Sequence, residues 1–284
     1  MTTSKSKISE LQLYFGDPYY ASDKIQVLQP TIGGILEYDK KFGESEFWSM
    51  LNIFIGNTTS YRLLLWDMGI DWNEITDFQL FTILIKTINQ ENTAILFGDL
   101  DLSSFEAYIK TTPIDKDKSE QKKDEELEAE NEQTSKQELI LYNQELDIEI
   151  DENVYNNIAL YLRTMFNIFP KVEKARGKQT KKWIIEEDRM NLANSKKEDT
   201  TSTFLPLIES CCCHPGFKYK KNELREVGIY EFMRSVQRLQ VYESTTALLK
   251  GMYSGFIDVK GIDKEEFDFM REIKPVKNKY EKIK

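Results

Sequence analysis

Histidine is almost missing from this chain of 284 residues: His214 is the only one. That leaves little room for acid–base catalysis built on imidazole or for a histidine-rich metal site. Cysteine is equally scarce, and the three present are consecutive, Cys211, Cys212 and Cys213. With no distant cysteine to pair with, they exclude a disulfide framework. Successive side chains on a helix point about 100° apart, so three adjacent thiols do not converge on one ion. They read instead as small apolar residues at the end of a buried helix. No run of about 18 apolar residues occurs, which excludes a transmembrane helix. The opening residues, MTTSKSKISE, lack the apolar segment of a signal peptide, so cytoplasmic residence is the expectation. Catalytic signatures are missing as well. Gly33-Gly34 is not followed by the glycine and lysine of a phosphate loop, and neither G-x-S-x-G nor H-E-x-x-H occurs. Asp99-x-Asp101 reads as a solvated turn. The expectation is a non-enzymatic protein with no catalytic, cofactor-binding or metal-binding residues and no cofactor.

What the chain does have is charge, unevenly spread. A net charge of -10 weighs against nonspecific binding of nucleic acid or an anionic membrane by the chain as a whole. Residues 113–138 carry ten acidic and five basic residues, with Leu127 and Ala129 among their few apolar side chains. Such a segment cannot bury enough surface to offset its ordering entropy, so it reads as a flexible acidic linker. Residues 171–182 are its mirror, with six basic residues against one acidic. Lys171, Lys174, Arg176, Lys178, Lys181 and Lys182, beside Trp183, have the composition to contact phosphates and stack a base. The alternative is a solvated connector whose charge offsets the linker, and a pI near 5.0 favours it.

Periodicity predicts a mainly α protein with a small β component. Short N-terminal strands are expected at Leu11–Phe15 and Lys24–Leu28, separated by Gly16-Asp17-Pro18. Helices are expected over Ile32–Tyr38, from Ser45 or Glu46 through Phe54, over Tyr61–Met68, and over Asp77–Ile88 behind a Thr76 cap. A short element at Leu102–Ile109 follows. Beyond the linker, the alternation of Leu139, Leu141, Leu146, Ile148 and Ile150 predicts a β-hairpin near 139–150. Asp151 then caps a helix over Val154–Phe169, which Pro170 stops. Helices over Trp183–Leu192 and Phe204–Cys213 precede the longest one, over 229–253, entered through Gly228 and closed by Gly251 and Gly255. Its stripe of Phe232, Val236, Leu239 and Tyr242 is expected to form the core of the C-terminal half. The resulting division is an aromatic-rich helical unit at 1–112, a linker at 113–138, and a second unit at 139–284. Trp48, Trp66, Trp72, Phe47, Phe54, Tyr61, Phe78 and Phe81 are expected to build the first unit's core, with a few left as an apolar patch for a partner.

Five blocks also carry a family resemblance: DPYYASDKIQVLQPTIGGILEY, FWSMLNIFIGNTTSYRLLLWDMGIDWNEITDFQLF, IDENVYNNIALYLRTMF, KARGKQTKKWIIEEDR and HPGFKYKKNELREVGIYEFMRSVQRLQVYES. Together they resemble a protein of tailed bacteriophages and of prophages in Gram-positive bacteria, a type found among tail-morphogenesis genes near the tape-measure gene. The resemblance implies a tail assembly chaperone acting in the host cytoplasm, with tape-measure or tail-tube subunits as protein partners. Self-association through the opposite charges of linker and basic stretch is a further expectation. The resemblance brings no catalytic or interface residues with it. The rival roles are a structural tail or baseplate component and a nucleic-acid-binding module using 171–182.

Overall fold

Local signals start most of the elements. In the computed structural model, which describes residues 8–43, 45–113, 135–195, 204–255 and 259–273, ten helices and five strands are present. Ser9 accepts a hydrogen bond from the Gln12 amide and starts helix α1 (Glu10–Tyr14). This corrects the strand expected at Leu11–Phe15. Leu13 alone turns inward while Leu11 and Phe15 face solvent, so the apparent alternation was one turn of helix. The expected second strand is present as β2 (Ile25–Val27), and its antiparallel partner is β1 (Tyr19–Ser22). Helix α2 (Ile32–Phe42) is capped by Thr31. Helix α3 (Glu46–Ile55) follows, then α4 (Arg62–Asp67). Thr76 and Gln79 form a reciprocal capping box at the start of α5 (Asp77–Leu84), and a 3-10 turn at Ile85–Thr87 extends it. Helix α6 (Gln90–Phe97) completes this run.

The element expected at Leu102–Ile109 divides into a 3-10 turn at Leu102–Ser104 and strand β3 (Glu106–Pro113). Strand β3 pairs antiparallel with β4 (Ser135–Asn143), from Glu106 opposite Tyr142 to Pro113 opposite Ser135. Strand β5 (Ile148–Ile150) pairs back onto β4, which gives the hairpin predicted near 139–150 and the sheet order β3-β4-β5. The acidic stretch therefore joins two hydrogen-bonded strands of one sheet instead of tethering two units. Its expected flexibility concerns residues 114–134, which lie outside the described residues.

Helix α7 (Glu152–Phe166) begins at Asp151, whose carboxylate accepts from the Val154 amide at 2.7 Å. It ends earlier than expected because Asn167 adopts a left-handed conformation, φ 54°, and closes the last turn before Pro170 is reached. Tyr155, Ile158, Tyr161, Leu162, Met165 and Phe166 are all buried. The helix packs on α3, α5, β1 and β5. Its Arg163 donates to the carbonyls of Ile55 and Gly56 at 2.8 and 2.9 Å, satisfying the C-terminal end of α3. One apolar core runs from Leu13 through Phe105 and Leu141 to Val236, crossing both proposed boundaries. The division into separately packed units at 1–112 and 139–284 is corrected accordingly.

Helix α8 (Lys178–Ser195) starts well before Trp183, and α9 (Phe204–Cys213) and α10 (Ile229–Tyr253) stand where the pattern put them. The start of α10 is stitched to the start of α2. Ile32 donates to the Val227 carbonyl at 3.0 Å, and Ile229 to the Pro30 carbonyl at 2.9 Å. Gly33 makes this approach possible, since a Cβ there would sit 2.7 Å from the Arg225 carbonyl oxygen. Gly251 stays within α10; Gly255, at φ 74°, is the residue that closes it. Only the first half of the α10 stripe is core: Phe232 and Val236 are buried, but Leu239 is half-buried and Tyr242 exposed. The element buried among the others is α7, and α10 reaches outward from it.

Candidate protein-binding site

Residues of α2, of α9 and of the segment Lys221–Arg225 line a groove of about 450 Å³. Its floor comes from Ile32 and Ile35 of α2, Phe204 and Ile208 of α9, and Leu224 of the 3-10 turn Glu223–Glu226. Its walls are Leu36, 42% exposed, and Leu205, 53% exposed. Phe204 is held edge-on between Trp48 and Phe232, at 5.5 and 5.9 Å between ring centroids. The start of α9 is thereby fixed to the core while Leu205 points outward. Pro206 sits in the first turn of α9, where its missing N–H is harmless. Lys40, Lys221, Arg225 and Asp39 complete the lining. Glu37 bridges two of these cations, with Lys40 at 2.8 Å and Arg225 at 3.4 Å. The Lys40 hydrogen bond, then Arg225, hold the Glu37 carboxyl below its ordinary range. An apolar trough of this size with a charged edge accepts apolar side chains from the face of an amphipathic helix.

The basic stretch is fastened to the body along its length. The Asn57 side chain donates to the Lys171 carbonyl at 2.8 Å, and the Asn73 side chain donates to the Ala175 carbonyl at 2.7 Å. Ala175 and Ile185 are buried with Leu65, Trp72, Leu80 and Leu84 in a second small core. Arg62 reaches across from α4 to Asp188 through Nε and Nη2, at 2.5 and 2.7 Å, and to Glu173 at 2.6 Å. These contacts, led by the Asp188 hydrogen bond, push the Arg62 pKa up further. Lys181 pairs with Asp71, and Arg189 with Asp67. Burial raises the Asp71 carboxyl, but the Lys181 hydrogen bond and the Asn73 amide outweigh it and hold the pKa below 3.8. Lys174, Arg176, Lys178 and Lys182 are exposed, as is Trp183. The sequence placed Lys181 with the solvent-facing cations, whereas the structure gives it a carboxylate partner and a place over the Trp72 ring.

The other sequence candidates resolve into structural roles. Cys211 is buried and burial raises its thiol pKa, while Cys212 and Cys213 face solvent. His214 accepts from the Gly216 amide at Nδ1, 3.0 Å away, and turns Nε2 toward Glu243 at 3.5 Å. The Asp101 carboxylate accepts from both the amide and the hydroxyl of Ser103, capping a 3-10 turn. Among the described residues, no group of three or more His, Cys, Asp or Glu is arranged to hold a metal ion. Phe47, Phe54, Trp72, Phe78 and Phe81 are core, as expected, and Tyr61, Trp48 and Trp66 are half-buried. Exposed apolar side chains are spread over the described residues, among them Phe15, Val172, Trp183 and Met270; Leu36 and Leu205 are the two that border the groove. The one signal available for them was the width of their helices' apolar faces. No described helix is long and apolar enough to cross a membrane. Comparison with protein-family models, curated proteins and solved structures found no match.

Proposed function

We propose that this chain is a non-enzymatic bacteriophage tail-morphogenesis protein, an assembly chaperone acting in the host cytoplasm. In this reading it holds an amphipathic helix of the tape-measure or tail-tube protein in the α2–α9 groove. The observation that carries the reading is the exposure of Leu36 and Leu205 on either side of an apolar floor. A partner helix with apolar residues at three- and four-residue steps would cover both. The five sequence blocks that resemble phage tail-morphogenesis proteins supply the biological setting. The acidic stretch, with a net charge of -5 from its ten acidic and five basic residues, suits a protein that must present apolar surface and stay dispersed.

The test is co-expression with a bacteriophage tape-measure protein, followed by mass spectrometry of purified particles. A chaperone co-purifies with the tape measure and is missing from the finished particle. Recovery in stoichiometric amount from finished particles would make it a structural tail or baseplate component. Failure to co-purify with either tape-measure or tail-tube protein would reject the proposal.

A further inference from the structure

A second groove, of about 610 Å³, opens along α10 between Arg234 and Tyr242. It differs from the first in charge. Its lining includes Lys218, Arg234 and Arg238 together with Tyr14, Phe217, Leu239 and Tyr242, and no acidic residue lines it. Two of the three cations have carboxylate neighbours just outside: Arg234 has Glu10 at 3.4 Å, and Lys218 has Glu231 at 3.6 Å. Arg238 has none among the described residues. Its Nη1 donates to the carbonyls of Phe269 and Arg271 at 3.0 and 2.9 Å. Those bonds fix the guanidinium plane, while Nε and Nη2 have no partner among the described residues. A guanidinium held this way keeps a two-pronged edge that matches a carboxylate.

Spacing sharpens the match. Arg234 and Arg238 lie one turn apart on α10, a rise of about 6 Å. Carboxylates four residues apart on a partner helix have the same rise. Tyr242 continues the arginine row one turn on, and Ser235 and Leu239 form the row beside it, where the adjoining apolar row of that helix would rest; Phe217 also lines the groove. We propose that this groove binds an acidic amphipathic helix with glutamate or aspartate at i and i+4 and leucine or an aromatic residue in the neighbouring row. Charge complementarity selects this occupant over a basic one. The carboxylates of Glu10 and Glu231 at the margin disfavour a continuous polyphosphate backbone.

The experiment uses the full chain and a fluorescein-labelled 14-residue helical peptide with glutamates at i and i+4 and leucines in the adjoining row. Fluorescence anisotropy is read at low and high salt, beside a control peptide in which lysines replace the glutamates. The glutamate peptide is expected to bind at low salt and weaken as salt rises, and the lysine peptide is expected not to bind. Arg238→Glu should weaken binding by about tenfold or more. Because Arg238 also holds the C-terminal segment, Ser235→Glu serves as a second variant, adding a negative charge to the lining where the structure records no side-chain bond to that segment. It should weaken binding comparably. Lys182→Glu on α8 and Leu205→Glu in the α2–α9 groove should leave it unchanged, which separates this groove from the proposed chaperone site. The inference is overturned if the glutamate peptide fails to bind at low salt, if the lysine peptide binds equally well, or if both groove variants bind like wild type. Displacement of the peptide by a tighter-binding duplex DNA oligonucleotide would also overturn it, assigning the groove to phosphate.

Discussion

Arg62→Ala tests whether α8 is strapped to α4. The Arg62 side chain is 16% exposed and its partner Asp188 is 23% exposed, so their paired hydrogen bonds are partly shielded from water. Charge-assisted bonds in such surroundings contribute about 1.5–3 kcal/mol when intact. The third bond, to Glu173, involves a half-exposed carboxylate and adds well under about 1 kcal/mol. Removing the guanidinium also strands the Asp188 carboxylate where solvent reaches it only in part. The expected loss is about 2–3 kcal/mol, with a coupling energy of about 1.5–2 kcal/mol in a double-mutant cycle with Asp188→Ala. Urea unfolding followed by tryptophan fluorescence reads it directly, because Trp66 and Trp72 lie in the small core beneath the strap. A coupling below about 0.5 kcal/mol would mean that α8 is not fastened to α4 through this pair.

Three further outcomes follow from the packing. Gly33→Ala should destabilise the protein by about 1–3 kcal/mol although alanine is the better helix former, because the new methyl meets the Arg225 carbonyl at 2.7 Å; a gain in thermal stability would refute the close approach. Val236→Asp puts a carboxylate into a 7% exposed apolar site and should cost more than about 3 kcal/mol, or abolish folding; a soluble variant with an unchanged urea midpoint would show that the inner half of α10 is not core. Asp71 has a folded-state pKa lowered below 3.8, so its contribution is complete above that value and is lost as pH falls through the lower folded value. The difference in urea midpoint between wild type and Asp71→Asn should therefore be constant near neutrality and shrink below about pH 4; a difference that does not shrink on acidification would contradict the Lys181 pairing.

Elements announced by local chemistry were legible in the sequence. Thr76 with Gln79, Asp151 with Val154, and Gly228 with Gly255 mark α5, α7 and α10 because caps and glycine stops act within a turn of where they stand. The β4–β5 hairpin was legible for the same reason, its strands being separated only by the turn between Asn143 and Ile148. The partner of β3 was not. Glu106–Pro113 pairs with a strand on the far side of the acidic stretch, and composition alone makes such a stretch look like a boundary between units. What it interrupts is a sheet whose strands β4 and β5 contribute Leu141, Ile148 and Ile150 to the core. Helix α1 was misread because three apolar residues at alternate positions suit a strand, while the Ser9 cap that decides the matter precedes them. The grooves were the least legible feature. Leu36 and Leu205 carry the periodicity of buried residues, and only the arrangement of α2, α9 and the segment Lys221–Arg225 leaves them open to solvent. Arg238 reads as a solvated helix residue until the carbonyls of Phe269 and Arg271 are seen to hold it.

The most direct test of the functional reading is capture of the tape-measure protein by variants of the α2–α9 groove, each first shown to keep the wild-type urea midpoint. Co-expressed wild type and Trp183→Glu, which changes an exposed apolar residue on α8 instead, should each bring the tape measure down. Leu205→Glu and Leu36→Glu should lose at least about nine-tenths of that yield, since each places a charge where an apolar side chain would have to rest. Undiminished capture by both groove variants would contradict the account and move the docking surface elsewhere on the molecule.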